Sequence, residues 1–391
     1  MSYSVDQFEE VYKNASAYQK AFKRMRPDRQ KPLITMTELS SQISTSRAGI
    51  RNAIRTNDHL PQGELRTTGR KERVFTINEA NEIRSHFGKK NPLVLTRRPP
   101  NAPISVVTIT GYKGGIKKTS TAVNLATFLS VKKQMRVLLI DMDGQGSASS
   151  HFMDTSTLSE KDTFSEFFSS ENIRDIIRKD EFIDTLDIIP ANSAFESLNM
   201  KFTTRYINAA SKGLSEKRWG LDWWELVPDA IEQIKDDYDV VIIDTAPNMN
   251  LPTLSAIWSA THLIMPVPPK SGDINSIIDY LPPLIANLRQ IEDYAGRKKI
   301  YTDIRTFVAG LDKSKNEIMA DQINKMFAPF MTSAYMKQSD AVFANEQHYM
   351  QLIYDISDYV GARGTIKSLQ KNFDELFSNL YTSITKEWVH E

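Results

Sequence analysis

The sequence contains no cysteine among its 391 residues. This absence excludes disulfides, thiolate metal sites, cysteine nucleophiles and cysteine-ligated iron–sulfur clusters. Histidine is also scarce, with six scattered residues that indicate no metal site. No stretch approaches the roughly 18–20 consecutive apolar residues that a membrane helix needs, and the beginning "MSYSVDQFEE" lacks the basic and apolar regions of a signal peptide. We therefore expect a cytoplasmic protein without membrane attachment.

Charge is unevenly distributed along the chain, although the net charge is only +1. Residues 1–100 hold 19 Lys and Arg against 10 Asp and Glu, a net charge of +9, whereas the remaining residues hold 30 against 38, a net charge of −8. A basic module joined to an acidic one indicates that the first part meets a polyanion. The length allows two or three domains.

The first module begins with an amphipathic pattern. Apolar residues recur at steps of three and four over residues 5–22, which predicts a helix that needs a packing partner. That partner is either a second copy of the chain or the helix's own neighbouring domain. A charged segment with two prolines follows, so residues 1–32 are interpreted as a pairing helix and a linker.

Residues 33–98 have the pattern of a compact helical unit. Thr35 and Glu38 form a predicted capping box before "MTELSSQI", and "STSRAGIRNAIR" predicts a second short helix. "ELRTTGRKERVFTI" alternates around a glycine like a hairpin, and "NEANEIRSHF" predicts a closing helix. The order helix, turn, helix, hairpin is that of a winged helix-turn-helix domain. The proline-rich "NPLVLTRRPPNAP" marks its boundary.

Residues 103–391 change to short apolar strands that alternate with helices. Such continuous apolar runs are typical of parallel strands covered on both faces. We therefore predict an α/β fold with a doubly wound, mostly parallel sheet. The predicted strands span residues 104–110, 136–141, 186–190, 239–244, 262–267 and 305–310.

A candidate phosphate-binding loop follows the first of these strands, in "VVTITGYKGGIKKTSTAVNLA". Gly114 and Gly115 allow the backbone to curl so that its N–H groups face an anion. Lys118 is expected at the β and γ phosphate oxygens and the Thr119 hydroxyl at Mg²⁺. The strict G-x-x-x-x-G-K-[ST] pattern nevertheless fails, because its two glycine positions hold Tyr112 and Lys117.

The segment "KGGIKKTSTAVNLA" instead resembles the deviant Walker A motif K-G-G-x-x-K-[ST] of the ParA/MinD family of dimeric ATPases. The resemblance implies a P-loop fold, ATP or ADP with Mg²⁺, and a homodimer in which Lys113 reaches the phosphates of the other subunit. A cation supplied from outside the loop suits the charge that grows during phosphoryl transfer. Lys117 is interpreted as a solvated side chain within the loop. The predicted nucleotide-binding residues are Lys113, Gly114, Gly115, Ile116, Lys117, Lys118, Thr119 and Ser120.

Two later segments resemble further motifs of this family, in the same order. "VLLIDMDGQGSASSHF" resembles "LLIDxDPQGxAT", which implies that Asp143 positions the attacking water and that Asp141 supports Mg²⁺ and the switch region. Gly144 stands where the family has proline. "YDVVIIDTAPNMN" resembles Walker B, with Asp244 holding Mg²⁺ through water. Each aspartate alone would be an ordinary cap or turn residue. The resemblance therefore makes Lys113, Lys118 and Asp143 the catalytic candidates.

The basic front carries candidate DNA-binding residues. Arginines recur every fourth residue of the second predicted helix, opposite its apolar face, and their planar forks match phosphates and guanine edges. The hairpin adds a basic wing, although a charged helix face is often merely solvated. These candidates are Arg47, Arg51, Arg55, Arg70, Lys71 and Arg73.

A winged unit ahead of such an ATPase resembles the large, type Ia plasmid partition ATPases. The resemblance implies specific binding to operator DNA as an autorepressor, nonspecific binding to nucleoid DNA in the ATP state, and weak hydrolysis stimulated by a ParB-type centromere-binding partner. It also implies a nucleoid-associated protein. Lys313, Lys315 and Lys337 match positions that bind DNA in the family, and the alternative for each is an ordinary surface lysine.

Other functions of the same fold require different sequence features. A MinD-like membrane ATPase should end in a basic amphipathic anchor, whereas "FDELFSNLYTSITKEWVHE" is amphipathic but not basic. A reductase of the nitrogenase iron-protein type needs cluster cysteines. A transcription factor whose ATPase only switches DNA affinity stays open, because autorepression already includes that role.

Overall fold

The structure, a computed structural model, describes residues 9–11, 13–15, 17, 29, 31–66, 71–89, 97–111, 113–211, 221–339, 352–354 and 363–388. Residues 9–11, 13–15 and 17 are helical, in agreement with the predicted N-terminal helix, whose other residues lie outside the described ranges. Among the described helices, none is both long and apolar enough to cross a membrane.

In the described residues between 33 and 88, the N-terminal unit combines three helices with a small antiparallel sheet. Thr35 and Glu38 form the predicted capping box, with the Thr35 side chain accepting from the Glu38 backbone and the Glu38 side chain accepting in return. The strand order is β1-β3-β2, in which the predicted hairpin is extended by an unpredicted first strand. The elements are β1 (Leu33–Thr35), α1 (Met36–Gln42), α2 (Arg47–Thr56), β2 (Glu64–Arg66), β3 (Glu72–Thr76) and α3 (Ile77–Gly88).

The described residues from 105 to 337 form an eight-stranded sheet. The six predicted strands are all present, and the two added ones are only two residues long. The order is β11-β10-β9-β4-β8-β5-β7-β6, parallel throughout except for the β6–β7 pair. The strands are β4 (Ser105–Ile109), β5 (Val137–Met142), β6 (Arg178–Lys179), β7 (Leu186–Ile189), β8 (Val240–Thr245), β9 (His262–Val267), β10 (Asp303–Leu311) and β11 (Met336–Lys337).

Helices cover both faces of this sheet, so the predicted doubly wound fold is confirmed. Neighbouring residues of one strand enter different cores: Val107 packs with α4 and α11, whereas Val106 packs with α5, α6 and α7. Burial on both faces explains why the strands are continuous apolar runs. The helices are α4 (Lys118–Lys133), α5 (Phe164–Ser170), α6 (Ser197–Ser211), α7 (Leu226–Glu232), α8 (Leu251–Ser259), α9 (Ser271–Ala295), α10 (Lys313–Met326) and α11 (Arg363–Ile384).

The N-terminal unit is joined to the large sheet's helices by a buried polar contact. Arg84 of α3, 2% exposed, donates to the Val131 carbonyl at the end of α4 over 2.9 Å. Asn81 donates to Asp184 over 2.7 Å, and Gln134 donates to the Asn81 carbonyl over 3.1 Å. One apolar cluster also runs from this unit into α4 and α11. The unit is therefore packed on the end of α4 opposite the loop that precedes it.

The strand order determines where the predicted motifs meet. β4 lies between β8 and β9, and β5 lies on the other side of β8. The carboxyl ends of these parallel strands share one edge of the sheet, where α/β proteins bind their ligands. The loops after β4, β5, β8 and β9 are therefore neighbours, although they are far apart in the chain.

Candidate nucleotide site

The loop between β4 and α4 has the backbone of an anion-binding turn. Gly115 and Lys117 adopt left-handed conformations, with φ of 78° and 71°. A Cβ atom added at Gly114 or Gly115 would meet nothing within 4 Å, so the space beside the loop is open. Ile116, 2% exposed, fixes the loop from below. The N–H groups at the start of α4 are left for a ligand, which is the arrangement that suits phosphate.

Lys118 begins α4 and is buried, with 6% of its surface exposed. Its Nζ donates to the Lys113 carbonyl over 3.2 Å, so the side chain lies back across the loop. Burial lowers the pKa of the Lys118 ammonium, whereas the nearby carboxylates of Asp244 and Asp143 oppose that shift. A buried ammonium under an open anion-binding turn suits contact with phosphate oxygens.

Thr119 and Asp244, two of the residues predicted to hold Mg²⁺, are in contact. The Thr119 hydroxyl donates to Asp244 Oδ2 over 2.7 Å, across 125 positions of the chain. Asp244 is fully buried, and its Oδ1 atom has no hydrogen-bond partner within the described part of the chain. Burial, followed by the charge of Asp141, raises the pKa of Asp244 well above its usual range. A cation at this carboxylate would offset the burial cost, so the residues fit the metal.

Asp141 is occupied by the loop that follows it. Its Oδ1 accepts from the Asp143 backbone over 3.1 Å, and its Oδ2 accepts from the Ser149 backbone and hydroxyl over 2.8 and 2.7 Å. Burial raises the pKa of Asp141 to about 6, although the hydrogen bonds from Ser149 and Asp143 oppose that shift. These hydrogen bonds favour one of the two predicted roles of Asp141, the support of the switch loop. The described residues contain no cluster of three or more carboxylates or imidazoles suited to a metal.

Asp143 lies half-buried at the start of this loop, where its Oδ1 accepts from the Gln145 backbone over 3.0 Å. Its charge acts on both Lys118 and Asp244, which places the carboxylate beside the phosphate loop. Asp143 is therefore close to the charged side chains of this site.

Lys113 makes an ion pair that the motif does not predict. Its Nζ lies 2.5 Å from Asp273 Oδ1, in the first turn of α9, and 49% of the lysine side chain is exposed.

The other two polar residues of the loop are half-buried. The sequence predicts a solvated Lys117, but the residue is half-buried and its carbonyl accepts from the Thr121 backbone and hydroxyl. Ser120 is half-buried, and its carbonyl accepts from the Asn124 side chain.

The predicted basic residues of the large domain differ in their surroundings. Lys313 and Lys337 line one cavity of about 410 Å³ at the ends of β10 and β11, together with Tyr335. Lys315 instead lies 3.2 Å from Asp312. The cavity opens at the same edge of the sheet as the phosphate loop.

The predicted DNA-binding residues of the N-terminal unit also divide into two groups. Arg47, Arg51 and Arg55 are exposed along one face of α2, whereas Ile50 and Ile54 of the same helix are buried in the core. The spacing therefore produces the basic face that the sequence predicts.

The hairpin residues do not all face outwards. Arg73 donates to the carbonyls of Gln62 and Gly63, which ties its guanidinium to the preceding turn. Lys71 is exposed, and Arg70 lies outside the described residues.

Two residues of the site were not predicted. Ser149, the partner of Asp141, lies inside the quoted "VLLIDMDGQGSASSHF" segment, and Asp273, the partner of Lys113, follows the predicted strand at residues 262–267. Their position shortly after predicted strands was the available signal. Neither contact could be derived from the sequence, because each depends on the packing of separate loops.

Comparisons with known proteins find similar sequences and a similar fold. Residues 104–298 match a family model described as an AAA domain. The chain is 25% identical over 357 residues to protein SopA of Escherichia coli K12, a match that covers 89% of this chain and 87% of SopA. It is 23% identical over 282 residues to plasmid partition protein A of Escherichia coli, which covers 67% of each chain. A solved structure described as a partition protein has a TM-score of 0.64 and 17% identity, and covers 95% of this chain and 98% of its own, a likeness of fold.

Proposed function

We propose that the chain is a plasmid partition ATPase of the ParA family, which binds ATP between two copies of itself. The observation that carries the proposal is the convergence of Lys118, Thr119 and Asp244 beside an open phosphate loop. Motif order alone would not bring a buried cation, a hydroxyl and a buried carboxylate to one sheet edge.

The chain's own residues divide the work of hydrolysis. Backbone N–H groups of residues 114–119 and the Lys118 ammonium bind the triphosphate, and Asp143 orients the attacking water. Thr119 and Asp244 would hold Mg²⁺, which when bound neutralises charge on the phosphate oxygens. Lys113 supplies a second ammonium to the phosphates of the partner subunit. ATP binding and dimerisation are thereby coupled, since each site is completed by the other subunit.

DNA binding is assigned to two surfaces. The exposed face of α2, with Arg47, Arg51 and Arg55, binds operator DNA, so that the protein represses its own gene. Lys313, Lys315 and Lys337 contribute to sequence-independent contact with nucleoid DNA in the ATP state. A ParB-type centromere-binding partner stimulates the weak intrinsic hydrolysis and releases the protein. We place the protein in the cytoplasm, associated with the nucleoid and not with a membrane.

The decisive experiment measures binding to operator and random duplexes with ADP, with ATP and without nucleotide. The full chain should bind the operator specifically and bind random DNA only with ATP. A chain lacking residues 1–98 should lose the operator preference and keep ATP-dependent nonspecific binding. Retained operator recognition in that truncated chain would overturn the DNA-binding assignment of the N-terminal unit. Binding to random DNA without ATP would show that ATP does not control nonspecific binding.

A further inference from the structure

The loop between β5 and the short 3₁₀ turn at Ser149–His151 is attached to the protein at both ends. Asp143 opens the loop, and Ser149 closes it. The two ends meet on one side chain, because Asp141 accepts hydrogen bonds from the Asp143 backbone and from the Ser149 backbone and hydroxyl. Asp141 is therefore the centre of a closed ring of contacts within eight positions of the chain.

Ser149 also ties this ring to the neighbouring strand. Its hydroxyl donates to Asp141 Oδ2 over 2.7 Å and accepts from the Ala191 backbone N–H, just beyond β7, over 2.8 Å. The residue is fully buried. One hydroxyl thus joins the end of β5 to the segment after β7 and satisfies two polar groups that burial would otherwise leave costly.

The loop has little room to move in this arrangement. Gly146 adopts a left-handed φ of 61°, and a Cβ atom placed there would lie 2.5 Å from the Ala191 carbonyl. The loop backbone therefore packs directly against the same segment that Ser149 holds. A close backbone approach of this kind needs glycine. Two independent contacts to Ala191 place the loop in one position.

We propose that Ser149 is a positioning residue for hydrolysis, which holds through Asp141 the loop that carries Asp143. The inference rests on the proposed ATPase function and adds a residue that acts before any partner or DNA is present. Ser149 itself touches neither phosphate nor water in this role. Its loss would let the Asp143 carboxylate drift, and a displacement of about 1 Å at a catalytic group costs on the order of 100-fold in rate.

The test is single-turnover hydrolysis of ATP with Mg²⁺ by the full chain carrying Ser149→Ala. We expect the rate constant to fall about 10- to 100-fold while the dissociation constant for ATP stays within about twofold. Ser150→Ala is the matched control, because it removes the hydroxyl of the neighbouring serine, which donates to the Ser147 carbonyl over 2.8 Å. That variant should hydrolyse ATP like the wild type.

A double-mutant cycle separates positioning from general loss of structure. In an Asp143→Asn background, Ser149→Ala should cause no further loss of rate, because both changes remove the same contribution. The inference would be overturned if the rate losses of the two single variants multiply in the double variant. A normal rate in Ser149→Ala, or an ATP affinity that falls as much as the rate, would also overturn it. A wild-type chain that does not hydrolyse ATP would refute the proposed function itself.

Discussion

Lys113 is paired with Asp273 of its own chain, at 2.5 Å between Nζ and Oδ1. The lysine predicted to reach the phosphates of another subunit is thus paired within its own chain, with the first turn of α9. Half of the lysine side chain is exposed, so the ion pair is weak and Lys113 can exchange Asp273 for another anion. A triphosphate carries more charge than one carboxylate and would compete for the ammonium.

The ion pair predicts that Asp273 restrains dimerisation. Asp273→Asn keeps the side chain's size but removes its charge, so Lys113 is released. We expect ATP-dependent dimers to form at a protein concentration about two- to tenfold lower, as measured by analytical ultracentrifugation. Asp279→Asn, on the exposed side of α9, is the control and should change nothing. An unchanged dimerisation constant in Asp273→Asn would show that the pair has no restraining role.

The two lysines of the loop should fail in different ways when they are replaced. Lys118→Ala removes the buried ammonium below the loop and is expected to abolish ATP binding. Lys113→Ala leaves the loop intact, so it should bind ATP with nearly unchanged affinity and lose at least about 100-fold in hydrolysis. Equilibrium titration with a fluorescent ATP analogue and a phosphate-release assay distinguish the two. Normal hydrolysis in Lys113→Ala would exclude a cross-subunit role.

Replacing arginines of the N-terminal unit should separate DNA contact from folding. Arg51→Gln, on the exposed face of α2, is expected to weaken operator binding about 5- to 100-fold without lowering the melting temperature. Arg73→Gln removes the donor to Gln62 and Gly63 and should lower the melting temperature of the unit. Fluorescence anisotropy and thermal unfolding test both variants. If Arg73→Gln weakens operator binding and Arg51→Gln lowers the melting temperature, then Arg73 contacts DNA and Arg51 stabilises the fold.

The buried contact of Arg84 is expected to stabilise the joint between the N-terminal unit and α4. Burial lowers the pKa of Arg84 to about 10, so the guanidinium remains charged at neutral pH. Arg84→Met leaves the Val131 carbonyl and the side-chain oxygens of Gln42 and Asn81 without their donor, at a cost of about 2–4 kcal/mol in unfolding free energy.

Chemical denaturation measures the cost of Arg84→Met. Arg174→Met is the control, because Arg174 pairs with Asp237 on the surface, and that pair should contribute at most about 1 kcal/mol. Equal losses of unfolding free energy in the two variants would show that the buried contact of Arg84 stabilises the protein no more than a surface ion pair does.

Lys299 predicts a pH dependence of stability. Burial lowers its pKa to about 8, while its Nζ donates to the Ala260 carbonyl over 2.6 Å. Between pH 8 and about 10.5 the unfolded lysine binds a proton that the folded one has lost, so this group stabilises the fold as the pH rises. The unfolding free energy of the wild type should gain on the order of 2 kcal/mol over Lys299→Met in that window. A constant difference between the two proteins would refute the shift.

The six strands that the sequence predicts in the large sheet share one property. Each has a continuous apolar run, because helices cover both faces of the sheet, and β4, β5 and β8 illustrate it. The missed strands β1, β6 and β11 have only two or three residues, which is too short for a pattern. The capping box at Thr35 was predictable for a similar reason, since it depends on residues three positions apart.

The same division applies to the candidate site. Lys118, Thr119, Asp141 and Asp244 were recognisable because their motifs are local: a phosphate loop needs a fixed spacing, and an aspartate must end an apolar strand. The motifs give no information about which carboxylate meets which cation. Asp273 is 160 positions from Lys113, and the pair exists because β9, which leads into α9, lies beside β4.

The sequence by itself determined the local structure and the chemistry of the loop, because hydrogen bonds between near neighbours and the burial of each strand depend on adjacent residues. Only the tertiary structure decided that Ser149 joins Asp141 to Ala191, that Arg73 faces its own backbone and that Lys113 is held by Asp273. These contacts follow from the order of strands in the sheet. That order is set by the packing of the whole chain.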